Sequence, residues 1–206
     1  MRHTPTYLLE DPAEVKRLIR NNPWMTYVSP TSAGLVSSHY ATLLEETDDD
    51  SIVLVSHFGR PDEVAHELGQ HEVLVIVQGP HGYISPNWYA EGDFVPTWNH
   101  VTAHLYGIPE ILGDAENFRI LGDLVDHFEQ RMPTPVSLDV DEEKARRIAK
   151  GTVGLRLRVT RFDARAKLSQ NKPPEVRESI MSALEGDGPY SDAALAAEMR
   201  RSEASG

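Results

Sequence analysis

The sequence predicts an α+β fold in which short strands organise the chain and helices are peripheral. Three observations carry that reading. After about residue 22 the apolar pattern changes from a helical to an alternating period. Short β-branched and aromatic runs are separated by turn-rich segments, and the longest helical patterns lie after residue 113. A chain of 206 residues suits one compact domain with a real core.

Asp11 and Pro12 open the first element. An N-cap, a proline at the first helical position and apolar Val15, Leu18 and Ile19 predict a helix over 12–21. Runs at 24–29, 35–44 and 52–58 read as three strands of an antiparallel meander, separated by SPTSAG and EETDDDS. Pro61 and Asp62 start a helix that ends near Gly69, and the nearly all-apolar run 73–78 reads as a strand buried on both faces. From Phe94 to Tyr106 the alternation places Trp98, His100, Thr102, His104 and Tyr106 on one face. Asn99, Val101, Ala103 and Leu105 fall on the other, which should line the core.

The second half adds helices. Residues 114–131 put Phe118, Leu121, Leu124, Val125 and Phe128 on one helical face, and Pro133 stops the helix. A helix over 142–150 ends at Gly151, and a strand over 153–159 sets Leu155, Leu157 and Val159 opposite Arg156 and Arg158. A helix over 173–184 follows. After the break EGDGPY, a terminal helix over 192–201 takes Ser191 as N-cap, with the final twenty residues mobile or docked on a partner.

Composition excludes several classes. No apolar run approaches the length of a membrane span, the N-terminus lacks the apolar region of a signal peptide, and there is no cysteine. The expectation is a cytoplasmic protein without disulfides or thiol catalysis. GxSxG, P-loop and GxGxxG motifs are all missing. A net charge of −12 works against nonspecific attraction to nucleic acid. Met1 to Glu143 holds 7 basic and 24 acidic residues, whereas Lys144 to Lys172 holds 10 basic residues and the single acid Asp163. That block is either an anion site, for a cofactor phosphate or DNA backbone, or the internal counterpart of the acidic remainder.

Rings concentrate between Gly79 and Gly107, where Trp88, Trp98, Tyr83, Tyr89, Tyr106, His81, His100 and His104 all fall. Each ring needs shaped surroundings and each polar tip a partner, so a ligand is expected there. His100 and His104 do not make a metal pair on a strand, where four positions span roughly 13 Å at about 3.3 Å per residue. HExxH, His-x-His and cysteine pairs are missing too, and no metal is assigned. A cross-strand cluster using His39, His57 or His81 stays open as the alternative.

The segments GPHGYISPNWY (79–89), VPTWNHVTAHLYG (95–107) and KLSQNK (167–172) together resemble the signature of the PaiB family, described as FMN-binding transcriptional regulators. Weaker likeness runs from the first helix to about Leu184. The resemblance implies a β-barrel-dominated α+β fold, the FMN-binding split β-barrel with peripheral helices. It implies one domain over 1–206 with a helical extension from about 173, and a homodimer that binds a flavin nucleotide between subunits and acts as a negative transcriptional regulator. DNA, if contacted, would meet residues 144–172. Two other readings remain: a flavin-dependent oxidoreductase related to pyridoxine-phosphate oxidases, and an interaction protein that has lost the cofactor. In the enzyme reading the flavin supplies the chemistry, with His81 and His100 as the only acid–base candidates.

A flavin needs apolar ring surface, donors for its nitrogen and oxygen atoms, and positive charge or helix N–H groups for its phosphate. By resemblance, Ser56, His57, Phe58 and Arg60, running into Pro61, meet the ribityl phosphate. Arg60 would bond it bidentately, or else pair with a surface acid. His39, Gln78 and Trp98 are further cofactor contacts, and Lys167, Ser169, Gln170 and Asn171 supply donors for phosphate or flavin carbonyls. The chain departs from the family at two of these places. It reads Ser38-His39-Tyr40-Ala41 where relatives read Thr-His-Leu-Pro, and Gly59-Arg60-Pro61-Asp62 where relatives carry a longer Ala-Arg-Ala-Asn-Pro element.

Overall fold

The structure is a computed structural model that describes residues 4–89 and 95–204. Phe94, at the start of one expected strand, lies outside the described residues. Asp11 accepts a hydrogen bond from Ala13 N (2.9 Å) and caps α1 (Pro12–Asn21), which buries Val15, Leu18 and Ile19. Then follow β1 (Trp24–Thr31), β2 (Gly34–Glu45), β3 (Val53–Gly59), α2 (Arg60–Ala65), β4 (Val73–Ile84), β5 (Thr97–Gly107) and β6 (Glu110–Ile111). The chain continues through α3 (Asp114–Glu129), α4 (Glu142–Ala149), β7 (Thr152–Arg158), β8 (Arg161–Lys167), α5 (Pro174–Glu185) and α6 (Ala193–Ala204).

The strands form one sheet in the order β6-β7-β3-β2-β1-β4-β5-β8. β1 and β2 pair antiparallel from Trp24↔Ala41 to Thr31↔Gly34. Gly34 closes that hairpin at φ +114, a conformation costly for any residue with a Cβ. β3 pairs antiparallel with β2 and with β7, the latter from Val53↔Arg158 to Gly59↔Thr152. Among the described residues no helix is long and apolar enough to cross a membrane.

Contacts group the chain into two compact units, the first from the described residues of 1–10, 78–103 and 163–206, the second from 11–77 and 104–162. The second unit is organised by an aromatic centre. Phe58 is fully buried, stacked on Tyr40 at 3.9 Å between centroids and met edge-on by Tyr27 at 5.0 Å and His66 at 5.4 Å. Beside it, α3 lays Ile120 and Leu124 on Val55 and Leu112. Asn117 packs so closely that a Cβ on Gly154 would stand 2.9 Å from its Cα.

In the first unit, Leu9 N bonds Ala164 O (3.0 Å) and Leu8 bridges Arg165, adding the N-terminal segment to β8. Helices α5 and α6 are joined by Arg200, which reaches Glu178 at 3.0 Å and Glu185 at 2.6 Å. Leu195, Ala196 and Met199 are fully buried. Gly82 of β4 admits the Leu195 side chain to 3.0 Å from where a Cβ would stand.

Several expectations change. β4 is not buried on both faces: Val73, Val75 and Val77 are, while Leu74 and Ile76 are half-buried, as an antiparallel strand with one covered face allows. α2 stops at Ala65, and Glu67 and Gly69, at φ +47 and +83, turn the chain away from helix. The buried stripe of α3 is Asn117, Ile120 and Leu124, with Phe128 42% exposed. The terminal helix packs on its own unit through Leu195, Ala196 and Met199. Its apolar face is already used against its own unit, and Asp192, not Ser191, accepts the capping bond from Leu195 N (2.9 Å).

Candidate functional site

The polar motif 167–172 builds a pocket in the first unit. Ser169 takes a left-handed φ of +62 and is buried, its Oγ bonded to Asn99 Nδ2 (3.0 Å) and Oδ1 (3.1 Å). The Gln170 amide is spent on the same turn, accepting from Leu168 N (2.7 Å) and donating to Ala166 O. This tight turn leaves Lys167, Asn171 and Lys172 around a cavity of about 270 Å³ completed by Tyr7, Tyr89 and Thr97.

Four contacts hold its polar groups. Lys167 Nζ donates to Thr97 Oγ1 and to Trp98 O (3.1 Å), and burial pushes its pKa down. Lys172 Nζ lies 4.2 Å from the centroid of the Tyr89 ring, a cation–π contact. Tyr7 OH donates to Asn171 Oδ1 (3.2 Å). The pocket is therefore cationic and rich in donors, suited to one anionic end of a ligand. Its volume falls below the ~300–1,000 Å³ of pockets that enclose a drug-sized molecule.

The alternation in β5 appears in burial as expected, with Asn99, Val101, Ala103 and Leu105 buried and the ring-bearing positions outside. Trp98 alternates away from Thr97 and is 51% exposed. Its Nε1 donates to His81 Nδ1 (3.2 Å), the two rings stacked at 6.0 Å, and Tyr83 and then Tyr190 extend the ring ledge. Gln78 is exposed on β4. His100 is half-buried and bonded to Thr102 Oγ1 (3.3 Å), and its pKa is lowered first by burial and then by the charge of Lys167.

The other predicted contacts belong to the second unit and split by burial. Ser56 and Phe58 are enclosed by protein. Ser56 Oγ donates to Ala41 O (2.7 Å), and Phe58 is the centre of the aromatic core. Arg60 Nε donates to Lys150 O (3.0 Å), and its guanidinium faces Glu63 at 3.3 Å and Asp114 at 3.8 Å, so acids of its own unit meet its charge. His39 is exposed and stacks on Trp24 at 6.2 Å. His57 is half-buried, edge-on to Tyr40 at 6.0 Å, with its pKa lowered by burial.

Sequence reasoning missed Tyr7, whose partner lies 164 positions away, and the buried His66, held between Ser29 Oγ (2.7 Å) and Ser38 Oγ (2.9 Å). Within the second unit Arg146, Arg156 and Arg161 of the basic block are met by acids. Arg156 reaches Glu45 at 2.7 Å, Glu116 at 3.0 Å and Glu110 at 3.6 Å, Glu45 first and then Glu116 raising its pKa, and Arg161 pairs with Glu72. Among the described residues no three histidine, aspartate or glutamate side chains gather where they could hold a metal ion.

Residues 1–161 match the family model described as "Putative FMN-binding domain". The protease synthase and sporulation protein PAI 2 of Bacillus subtilis is 29% identical over 177 residues, 84% of each chain. The FAD and heme binding protein of Mycobacterium smegmatis superposes with a TM-score of 0.58 at 17% identity, over 86% of this chain and 78% of that one. The flavocytochrome Anf3 of Azotobacter vinelandii gives 0.58 at 14% identity, over 81% and 72%. At these identities the two structures speak to fold alone, and the fold they share with this chain is the split barrel.

Proposed function

The chain belongs to the PaiB-type family of FMN-binding split-barrel proteins, and on that premise we propose that it binds FMN and acts in the cytoplasm as a homodimeric negative transcriptional regulator. The observation that carries the cofactor assignment is the pocket of Lys167, Asn171 and Lys172. Two ammonium groups and the Nδ2 of a carboxamide oriented by Tyr7 converge on one end of a ligand, the donor set that a phosphate requires.

Lys167 is the stronger of the two cations. Thr97 and the Trp98 carbonyl fix its position, and burial removes competing water from its charge. Lys172, resting on Tyr89, adds a second positive charge. Asn171 is oriented by Tyr7 through its Oδ1, which leaves its Nδ2 to donate. When bound, FMN would supply a redox-active ring, and the residues named here would hold its phosphate. The regulatory role rests on kinship with the PaiB type. DNA contact in this reading falls to exposed Arg147 and Lys150, because Arg156 is already held by three carboxylates.

Titration of the purified chain with FMN and with riboflavin, followed by the visible flavin absorption, tests the cofactor assignment. FMN should bind more tightly than riboflavin, and Lys167→Met should remove that preference. Failure to bind either flavin sinks the proposal. A gel shift that weakens with salt, and weakens further in Arg147→Ala, tests the DNA contact.

A further inference from the structure

Helix α3 carries more apolar surface than the core of its unit takes up. Ile120 and Leu124 are buried against Val55 and Leu112, while Leu121 and Val125, on the adjoining stripe, line a second cavity of about 410 Å³. Its other walls include Val140, Ile148 of α4 and His57 of β3. Val140 is 79% and Ile148 65% exposed, so apolar side chains at the lip stand in water. The volume lies within the ~300–1,000 Å³ range of small-molecule pockets, and such walls favour an occupant that removes apolar surface from water.

The polar atoms around the cavity narrow the occupant further. Ser137 Oγ accepts from Asp139 N (3.1 Å), and Asp141 Oδ1 accepts from Lys144 N (3.0 Å). Thr152 Oγ1 donates to Ala149 O (2.8 Å) and accepts from Asn117 Nδ2 (3.1 Å). Each of these oxygens already serves local structure. His57 differs, because its Nδ1 is sealed from solvent with no hydrogen-bond partner. A buried orphan N–H is rarer than a buried orphan acceptor, so the proton belongs on Nε2. The ring edge bearing Nε2–H is then the part able to meet an occupant. Asp141 and Lys144 bring opposite charges to the lining, and apolar walls penalise a charged ligand.

We propose that this cavity binds a mainly apolar, uncharged small molecule carrying one hydrogen-bond acceptor, which receives the Nε2–H of His57. The site shares no lining residue with the lysine pocket of the flavin reading, and it stands if that reading falls.

Benzophenone and diphenylmethane test it, since they share a skeleton and differ by the carbonyl acceptor. Each is titrated into the full chain while methyl NMR signals of Leu121, Val125 and Ile148 are followed. Benzophenone should bind saturably, move all three signals, and bind about 2- to 10-fold more tightly than diphenylmethane, the range of one neutral hydrogen bond. His57→Phe should erase that ratio while diphenylmethane still binds. Ile148→Glu, at an exposed position, should weaken both. If His57→Phe does not fold, the wild-type ratio and Ile148→Glu still decide. Absent saturation, equal affinity for the two compounds, or displacement of benzophenone by FMN would overturn the proposal. So would protection of the three methyl groups as protein concentration rises, which would give the groove to a second copy of the chain.

Discussion

The two cavities treat a buried nitrogen in opposite ways. In the first unit, burial lowers the pKa of Lys167, yet Thr97 and the Trp98 carbonyl hold its ammonium. In the second, burial lowers the pKa of His57 and leaves Nδ1 without a partner. The same loss of solvent therefore prepares one group to meet an anion and the other to stay neutral in an apolar cleft. What separates them is the pair of oxygens supplied by the neighbouring strand, rather than the burial itself.

Phe58 is fully buried in the second unit. Although its segment reads as a cofactor contact, its burial predicts that Phe58→Ala costs about 3–5 kcal/mol in urea denaturation. Trp98→Ala, at a half-exposed ring, should stay within about 1 kcal/mol of wild type. Similar losses at both positions would remove the division between core and surface rings.

Lys167→Met comes next, with an expected loss of about 10- to 100-fold in FMN affinity, the usual worth of a hydrogen bond to a charged group. Calorimetric titration measures it, and an unchanged affinity moves the phosphate elsewhere. Gly107→Ala places a Cβ 2.5 Å from Arg158 O and should cost about 1–3 kcal/mol, read as a lowered denaturation midpoint.

The histidines give a pH test. His57, His66 and His100 all have pKa values lowered by burial, with Asp62 opposing the shift at His66. A depressed folded value means that the unfolded chain takes up protons first. The stability from these groups is whole above the ordinary histidine pKa of about 6.5 and is lost as pH falls through the lowered folded values. Denaturation midpoints should drop on acidification below about pH 6.5, and His66→Gln should flatten that drop. The smallest expected effect is Lys172→Ala, about 0.5–1 kcal/mol for a cation–π contact, with FMN affinity reduced less than in Lys167→Met.

Much of the fold was legible in local pattern. The Asp11–Pro12 cap and the apolar spacing of α1 located that helix to the residue, and the alternation in β5 sorted its two faces. The terminal helix was legible as a helix but not as a packed one. Its burial depends on Gly82 and Asn99, about a hundred positions earlier, and on the Arg200 ion pairs. The motif 167–172 announced donors, but a linear reading could not show that Ser169 and Gln170 spend theirs on the turn. Around Arg60 the sequence left open a phosphate or an acid, and the structure shows Glu63 and Asp114 beside it.

The α3 stripe shows where reading stops. Phe118, Leu121, Leu124, Val125 and Phe128 share a helical face by period alone, but which part is covered depends on where β3 and β7 stand. The structure buries Ile120 and Leu124 and leaves Leu121 and Val125 on a cavity. Periodicity and capping act between residues a few positions apart, so the elements, their faces and the family signature can be read along the chain. Cavities arise where distant segments meet, as Tyr7 meets Asn171. Which polar atoms are spent on folding and which are left for a ligand follows from those long-range meetings.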